Sequence, residues 1–166
     1  LKEKYKNVEH HLLDMDKIFQ AFSVTLKKFD KEHAFANSRA RLRMASLYQV
    51  ASSNSGIVVG TGNKVEDFGV GFYTKYGDGG VDISPIADCT KTQVWELGRY
   101  LGINAEPTDG LWNDERNDVD QLGMSYQDLE KAMVDKNDPN YKKYLKIREK
   151  NLHKMKPIPV CIIKDE

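Results

Sequence analysis

The stretch GTGNKVEDFGVGFYTKYGDGGVDISPIADCTK, residues 60–91, carries groups that suit phosphate and a divalent cation. Its glycine-rich start offers backbone amides as donors, and Thr61 adds a hydroxyl. Lys75 and Lys91 can neutralise phosphate oxygens. Its carboxylates include Glu66, Asp78 and Asp82. Because Mg²⁺ commonly joins one or two protein carboxylates to phosphate oxygens, the combination predicts a nucleotide site with a metal ion.

The length of this stretch also points to function. Loops this long inside a compact domain are uncommon, and those that occur are usually functional or disordered. The aromatic side chains of Phe72, Tyr73 and Tyr76 argue against disorder. We therefore expect a functional loop.

The elements that must position this loop are predicted from periodicity. The run IVVG, residues 57–60, is typical of a strand covered on both faces. The helix before it, within residues 36–54, has an apolar stripe formed by Ala40, Met44, Leu47, Tyr48 and Ala51. A strand at residues 8–13 and a helix at 16–29 precede them. This order predicts an α/β fold with a parallel sheet flanked by helices, in which ligands bind beyond the carboxyl ends of the strands.

Three helices are predicted after the loop, the second of them following an acidic loop within residues 107–133. Thr90 and Gln93 have the spacing of a capping box, and Gly102 supplies a stop. Lys91 would lie in the first turn, where the positive end of the helix dipole repels it, so we interpret it as the partner of a bound anion. The last helix is predicted to start at Asp138–Pro139 and to run to about residue 154.

Composition excludes several classes of protein. The chain has 25 Lys and Arg against 25 Asp and Glu, so a partner whose main feature is a nucleic-acid backbone is disfavoured. No apolar run approaches the ~20 residues of a membrane span, and we expect a cytoplasmic protein that binds no membrane. Cys89 and Cys161 lack metal-ligand spacing and are interpreted as reduced thiols. The length fits one domain, residues 1–166.

Five strings occur in an order that resembles the ammonia-dependent NAD synthetases: ANSRARLRM, the whole of 60–102, PTDGLW, DQLGMSY and HKMKPIP. The resemblance runs from about Asn37 to the end. It implies the Rossmann-like fold of the adenine-nucleotide α-hydrolase group and a homodimer. It also implies a ligase that uses ATP and Mg²⁺ to amidate deamido-NAD with ammonia through an adenylated intermediate, giving NAD⁺, AMP and pyrophosphate.

The resemblance also implies roles for individual residues. ATP would contact Thr61, Lys91 and Thr108. Mg²⁺ would be held by Glu66. Deamido-NAD would contact Arg41, Lys75, Asp82, His153 and Lys154. Asp78 would lie near the ammonia position, where a carboxylate can hold ammonium and accept a proton.

In this interpretation the long loop is a lid that the dinucleotide orders, because its glycines let the backbone come close to a ligand. The alternative is that its aromatic residues simply pack the loop onto the sheet.

Two departures from the family pattern shape these expectations. The SGGxDS phosphate loop does not occur, and the segment around Glu106 and Pro107 is several residues short. We interpret the sequence as the C-terminal part of a longer polypeptide, its first nucleotide-binding unit being absent. The alternatives are a degenerate, non-catalytic homologue, a nucleotide-binding regulatory module, or another ATP-pyrophosphatase that amidates a different acid or thiolates tRNA.

Overall fold

The computed structural model describes residues 3–103 and 118–163. Over these ranges the chain forms six α-helices, a short 3₁₀ turn at Lys27–Phe29 and a π-helical turn at Lys64–Val70. The α-helices are α1 (Asp16–Thr25), α2 (Glu32–Ser53), α3 (Lys91–Tyr100), α4 (Asp118–Leu122), α5 (Tyr126–Val134) and α6 (Tyr141–Met155). None of them is long and apolar enough to cross a bilayer.

The predicted parallel sheet is reduced to one contact in the described ranges. Val59 forms an isolated parallel bridge with Ile83, and the Gly60 amide donates to the Ile83 carbonyl at 2.7 Å. The bridge is parallel, but the described residues form no sheet, and Val59 is 54% exposed, whereas a central strand is covered on both faces. The strand predicted at residues 8–13 is wrong, because this segment is irregular and leaves Leu12 88% exposed.

The helices follow the sequence more closely. The predicted first helix ends early, at Thr25, and continues only as the 3₁₀ turn. Helix α2 ends at its C-cap Asn54, but of its predicted apolar stripe only Met44 is buried. Helix α6 starts two residues later than predicted, because Asp138 accepts a hydrogen bond from the Asn140 amide at 2.7 Å and holds a turn before the helix.

The capping box of α3 is present as predicted. The Thr90 side chain accepts from the Gln93 amide, and the Gln93 side chain accepts from the Thr90 amide. Gly102 has φ +68°, a conformation in which a side chain is strained. These features are local, and Lys91 is consequently fixed as the first residue of α3.

The hydrophobic core lies between the π-helical turn, the α4–α5 region and α6. Its buried members are Val65, Val70, Leu122, Met124, Tyr126, Leu129, Ala132 and Tyr144. Phe72 and Trp95 pack against this cluster. The core therefore supports the start of the long loop, where the candidate phosphate and metal groups lie.

Candidate functional site

The π-helical turn presents Glu66 in a fixed direction. Asn63, only 2% exposed, accepts hydrogen bonds from the Val65 and Glu66 amides at 3.0 and 3.1 Å, and its side-chain amide donates to Glu66 Oε2. Val65 and Val70 are fully buried at either end of the turn. Turns of this kind are rare and are frequent at functional sites.

Helix α6 holds the other end of the same turn. The guanidinium of Arg148 donates to the Phe68 carbonyl and, at 2.7 Å, to the Gly69 carbonyl. The side-chain amide of Asn151 donates to the Val70 carbonyl at 3.0 Å. Carbonyls at a helix end have no partner within the helix, so these contacts satisfy groups that would otherwise be costly to bury.

The carboxylate of Glu66 is surrounded by donors. Its Oε1 lies 2.6 Å from Lys91 Nζ and 2.7 Å from the Tyr126 hydroxyl, while Oε2 accepts from Asn63. The side chains of Lys91 and Glu66 are only 18% and 15% exposed. The structure thus brings together the carboxylate predicted to bind the metal and the lysine predicted to bind ATP.

Hydrogen bonds to Glu66 occupy most, but not all, of the positions at which its carboxylate could bind a metal ion. An ionised carboxylate has about four lone-pair positions, and three are taken by Lys91, Tyr126 and Asn63. Across residues 3–103 and 118–163, no group of three or more His, Cys, Asp or Glu side chains could hold a metal ion. A single carboxylate suits Mg²⁺ that takes its other ligands from phosphate and water, so the residues fit such an ion.

Tyr126 joins the Glu66 site to α4. It is 2% exposed and follows Ser125, whose hydroxyl caps α5 by accepting from the Asp128 amide at 3.1 Å. Its hydroxyl is also 2.7 Å from Asp118 Oδ2. Burial, and then the two nearby carboxylates, raise the pKa of Tyr126 well above its usual range.

Sequence reasoning missed Tyr126 and Asp118 as members of the site. A tyrosine in an apolar helix is read as a core residue, which Tyr126 also is. Its ring packs edge-to-face on Trp95, with 5.8 Å between centroids, and Lys91 Nζ lies 4.9 Å from the ring centroid. Only the fold shows that the hydroxyl of this core residue reaches a polar site.

A second cluster joins the loop to the end of α6. Lys154 Nζ donates to the Tyr73 carbonyl at 2.7 Å, and the Tyr73 hydroxyl donates to the Lys154 carbonyl at 2.5 Å. Asp78 accepts from the Thr74 amide at 3.0 Å. Burial lowers the pKa of Lys154, and the charges of Asp78 and Asp67 oppose that shift. Lys154 and Asp78, both predicted site residues, therefore share one electrostatic environment.

Asp67 belongs to this cluster and was not predicted. Burial raises the pKa of Asp67 to about 6, with contributions from Glu66 and Asp78, while Lys154 opposes the change. Its carboxylate lies against Gly62, where an added Cβ would fall 1.9 Å from Asp67 Oδ2. The second glycine of GTGN is thus required for this close approach. The sequence signal that could have identified Asp67 as a site residue is its place directly after Glu66.

The remaining predicted residues fall into separate places. Arg41 Nε on α2 donates to the Lys75 carbonyl at 3.1 Å, which brings these two together. Asp82 accepts from the Val58 amide at 2.7 Å and from the Tyr48 hydroxyl at 3.2 Å, so it braces the bridge between Val59 and Ile83. Exposed positions are occupied by Thr61 and His153. Thr108 lies outside the described residues.

The long loop is tied down without a ligand. Besides the contacts with Lys154 and Arg41, the Thr74 hydroxyl donates to Asn37 on α2 at 2.6 Å. Phe72 packs against the core, whereas Tyr76 is exposed and has φ +66°. These contacts favour the alternative in which the aromatic residues pack the loop, here between α2 and α6.

The sequence model of a family described as NAD synthase matches residues 3–160. The NH(3)-dependent NAD(+) synthetase of Thermoplasma volcanium is 40% identical over 159 residues, which cover 89% of this chain and 64% of the relative. The enzyme of the same description from Carboxydothermus hydrogenoformans is 38% identical over 137 residues, with 77% and 56% coverage. The chain therefore spans less than two thirds of the length of these relatives.

Two solved structures resemble the fold. The NMN synthetase from Francisella tularensis has a TM-score of 0.83 and 31% identity, covering 95% of this chain and 68% of that one. An NH3-dependent NAD synthetase from Campylobacter jejuni, in complex with the nitrate ion, has a TM-score of 0.72 and 24% identity, covering 94% and 67%. The second likeness concerns the fold alone.

Proposed function

This chain belongs to the NAD synthase family, and from that premise we propose that the protein amidates deamido-NAD with ammonia at the expense of ATP. The products are NAD⁺, AMP and pyrophosphate. The observation that carries the proposal is the pairing of Glu66 with Lys91 at 2.6 Å beside the GTGN segment. It supports the proposal because a carboxylate suited to a metal ion and a cation suited to phosphate lie side by side.

The chemistry explains why such groups are needed. A carboxylate does not react with ammonia until one of its oxygens becomes a leaving group, and adenylation by ATP makes it one. Pyrophosphate departure develops negative charge, which Lys91 and the amides at the start of α3 can stabilise. Glu66 would hold Mg²⁺, which supplies further charge neutralisation at the phosphates. Thr61 and Thr108 complete the proposed ATP contacts.

The second cluster suits the amide-forming half of the reaction. We assign deamido-NAD to the residues predicted for it, namely Arg41, Lys75, Asp82, His153 and Lys154. Asp78 would accept a proton from ammonium, and the ammonia so formed would then attack the adenylated carboxyl group and displace AMP. Asp67 adds a second acidic group there, and Lys154 supplies a compensating charge for both.

Membership of the family also bears on the oligomeric state and the location of the protein. We propose a cytoplasmic homodimer with deamido-NAD at the subunit interface. A groove of about 520 Å³ between the segment before α1 and α2 supports an apolar contact, lined in part by Leu12, Ile18, Leu42 and Val50. Ile18→Glu should shift the sedimentation coefficient towards that of a monomer.

A second candidate reaction is amidation of the mononucleotide acid, giving NMN. It is favoured by the greater likeness to the Francisella tularensis NMN synthetase than to the Campylobacter jejuni NAD synthetase, with TM-scores of 0.83 and 0.72. Assays with ATP, Mg²⁺, ammonia and either acid distinguish the two. We expect AMP and NAD⁺ in equal amounts with deamido-NAD. Turnover of the mononucleotide acid alone would replace the proposal, and turnover of neither would overturn both.

A further inference from the structure

We propose that Tyr126 is a positioning residue for the metal site, since its hydroxyl fixes the direction of the Glu66 carboxylate after Lys91 has moved to a bound phosphate. This inference rests on the proposed role of Glu66 in binding Mg²⁺. Nothing in the sequence assigned Tyr126 to the site.

One carboxylate oxygen of Glu66 accepts from two donors. Glu66 Oε1 accepts from Lys91 Nζ at 2.6 Å and from the Tyr126 hydroxyl at 2.7 Å. Lys91 has a long, flexible side chain with three ammonium protons to donate, so a bound phosphate can share it with Glu66 or draw it away from Glu66. When it turns to phosphate, the tyrosine hydroxyl is the donor that remains on Oε1, and that contact preserves the orientation of the carboxylate.

The surroundings of Tyr126 make it a rigid donor. The residue is 2% exposed, its ring packs edge-to-face on Trp95, and Ser125 caps the helix that it begins. Asp118 Oδ2 lies 2.7 Å from the same hydroxyl. A hydroxyl has one proton to donate, so Asp118 and Glu66 compete for it. Tyr126 is thereby held between two carboxylates rather than free to rotate.

The test is Tyr126→Phe, which removes the hydroxyl and keeps the ring in the core. Tyr144→Phe is the matched control, because Tyr144 is buried in the same cluster on α6. Mn²⁺ binding in the presence of a non-hydrolysable ATP analogue is measured by electron paramagnetic resonance, and binding of the analogue without metal by calorimetry. We expect Tyr126→Phe to weaken Mn²⁺ binding about tenfold, the effect of one lost hydrogen bond, with metal-free nucleotide binding within about twofold. Tyr144→Phe should change neither.

The outcomes separate this inference from the proposed function. If Glu66→Gln loses Mn²⁺ while Tyr126→Phe binds it as the unchanged protein does, the positioning role is refuted and the metal role of Glu66 stands. If Glu66→Gln keeps Mn²⁺ binding, the metal role itself fails. Should Tyr126→Phe not fold, Asp118→Asn replaces it. That variant removes the competing carboxylate, so equal or tighter Mn²⁺ binding is expected, and weaker binding overturns the inference.

Discussion

Lys91 Nζ and Glu66 Oε1 lie 2.6 Å apart, although 25 positions separate the two residues along the chain. Both side chains are largely buried, and Lys91 also lies over the ring of Tyr126. The sequence interpretation did not include this partner of Lys91 within the protein, and a role for Lys91 towards a bound anion stays a prediction. The attraction of the Glu66 carboxylate offsets the repulsion between Lys91 and the positive end of the α3 dipole. The sequence alone did not show that Glu66 lies there.

Repulsion from the positive end of the α3 dipole would alone make the removal of Lys91 neutral or slightly stabilising, and the pairing with Glu66 reverses that expectation. Lys91→Ala should destabilise the ligand-free protein by about 1.5–3 kcal/mol, because it removes a hydrogen bond between charged groups away from bulk water. Lys64→Ala is the control, since Lys64 pairs with Asp88 at 2.9 Å but the side chains are 45% and 97% exposed. Such a pair contributes little. Thermal unfolding should show a lower Tm for the first variant only, and equal Tm values would contradict the structural role of Lys91.

Glu66→Gln keeps the shape of the side chain and removes the charge. AMP release should collapse while the fold persists, because Mg²⁺ loses its proposed protein ligand. Glu149→Gln is a suitable control, since Glu149 lies exposed on α6. It should leave the rate of AMP release within about twofold, a difference below ~0.5 kcal/mol. Unchanged turnover of Glu66→Gln at saturating Mg²⁺ would reject the metal role.

The sequence predicted contacts between neighbouring residues but not contacts between residues far apart along the chain. The capping box of Thr90 and Gln93 depends on neighbours three positions apart and was predicted correctly. The partners of Glu66 come from α3 and α5, far along the chain, and no local pattern reports them. The predicted sheet is similarly non-local, because the strand predicted at residues 57–60 needs covering elements that the described residues do not supply.

Lys75 and Asp82 offer a test that separates binding from folding. Both Lys75→Ala and Asp82→Ala should raise the apparent dissociation constant for deamido-NAD, while that for ATP stays within about threefold, or roughly 0.7 kcal/mol. Only Asp82→Ala should also lower the Tm, because Asp82 accepts from the Val58 amide and the Tyr48 hydroxyl. A normal Tm together with an unchanged dinucleotide affinity for Asp82→Ala would leave neither role standing.

Hydrogen exchange distinguishes a packed loop from a lid that the ligand orders. Without deamido-NAD, we expect slow exchange at the amides of Thr74, Gly77 and Gly80, which donate to Asp78, the Thr74 carbonyl and the Gly77 carbonyl. The exposed segment 9–13 provides a fast-exchanging reference. Fast exchange in the loop that slows only when the dinucleotide is added would contradict the packed arrangement and favour the lid.

The pKa of Asp67 predicts a pH-dependent gain in stability on Asp67→Asn. Burial raises this pKa from 3.8 to about 6, so the folded protein holds the proton more tightly than the unfolded chain does. Ionisation therefore opposes folding, with a cost that is absent below the unfolded value, grows as the pH rises between about 4 and 6, and is complete above that range. The Asp67 side chain is partly exposed, so solvent screening reduces the free-energy cost of its ionisation to about 1–2 kcal/mol.

The measurement compares the free energy of unfolding of Asp67→Asn and the unchanged protein in EDTA at pH 7.5 and 4.5. The variant should be more stable at pH 7.5, and the difference should shrink at pH 4.5. Asp88→Asn supplies a control of opposite sign, because Lys64 lowers the pKa of Asp88 and its ionisation favours folding. Its effect is expected to be small, since Asp88 is exposed. An Asp67→Asn difference that is the same at both pH values would show that the carboxyl group is not titrating between them.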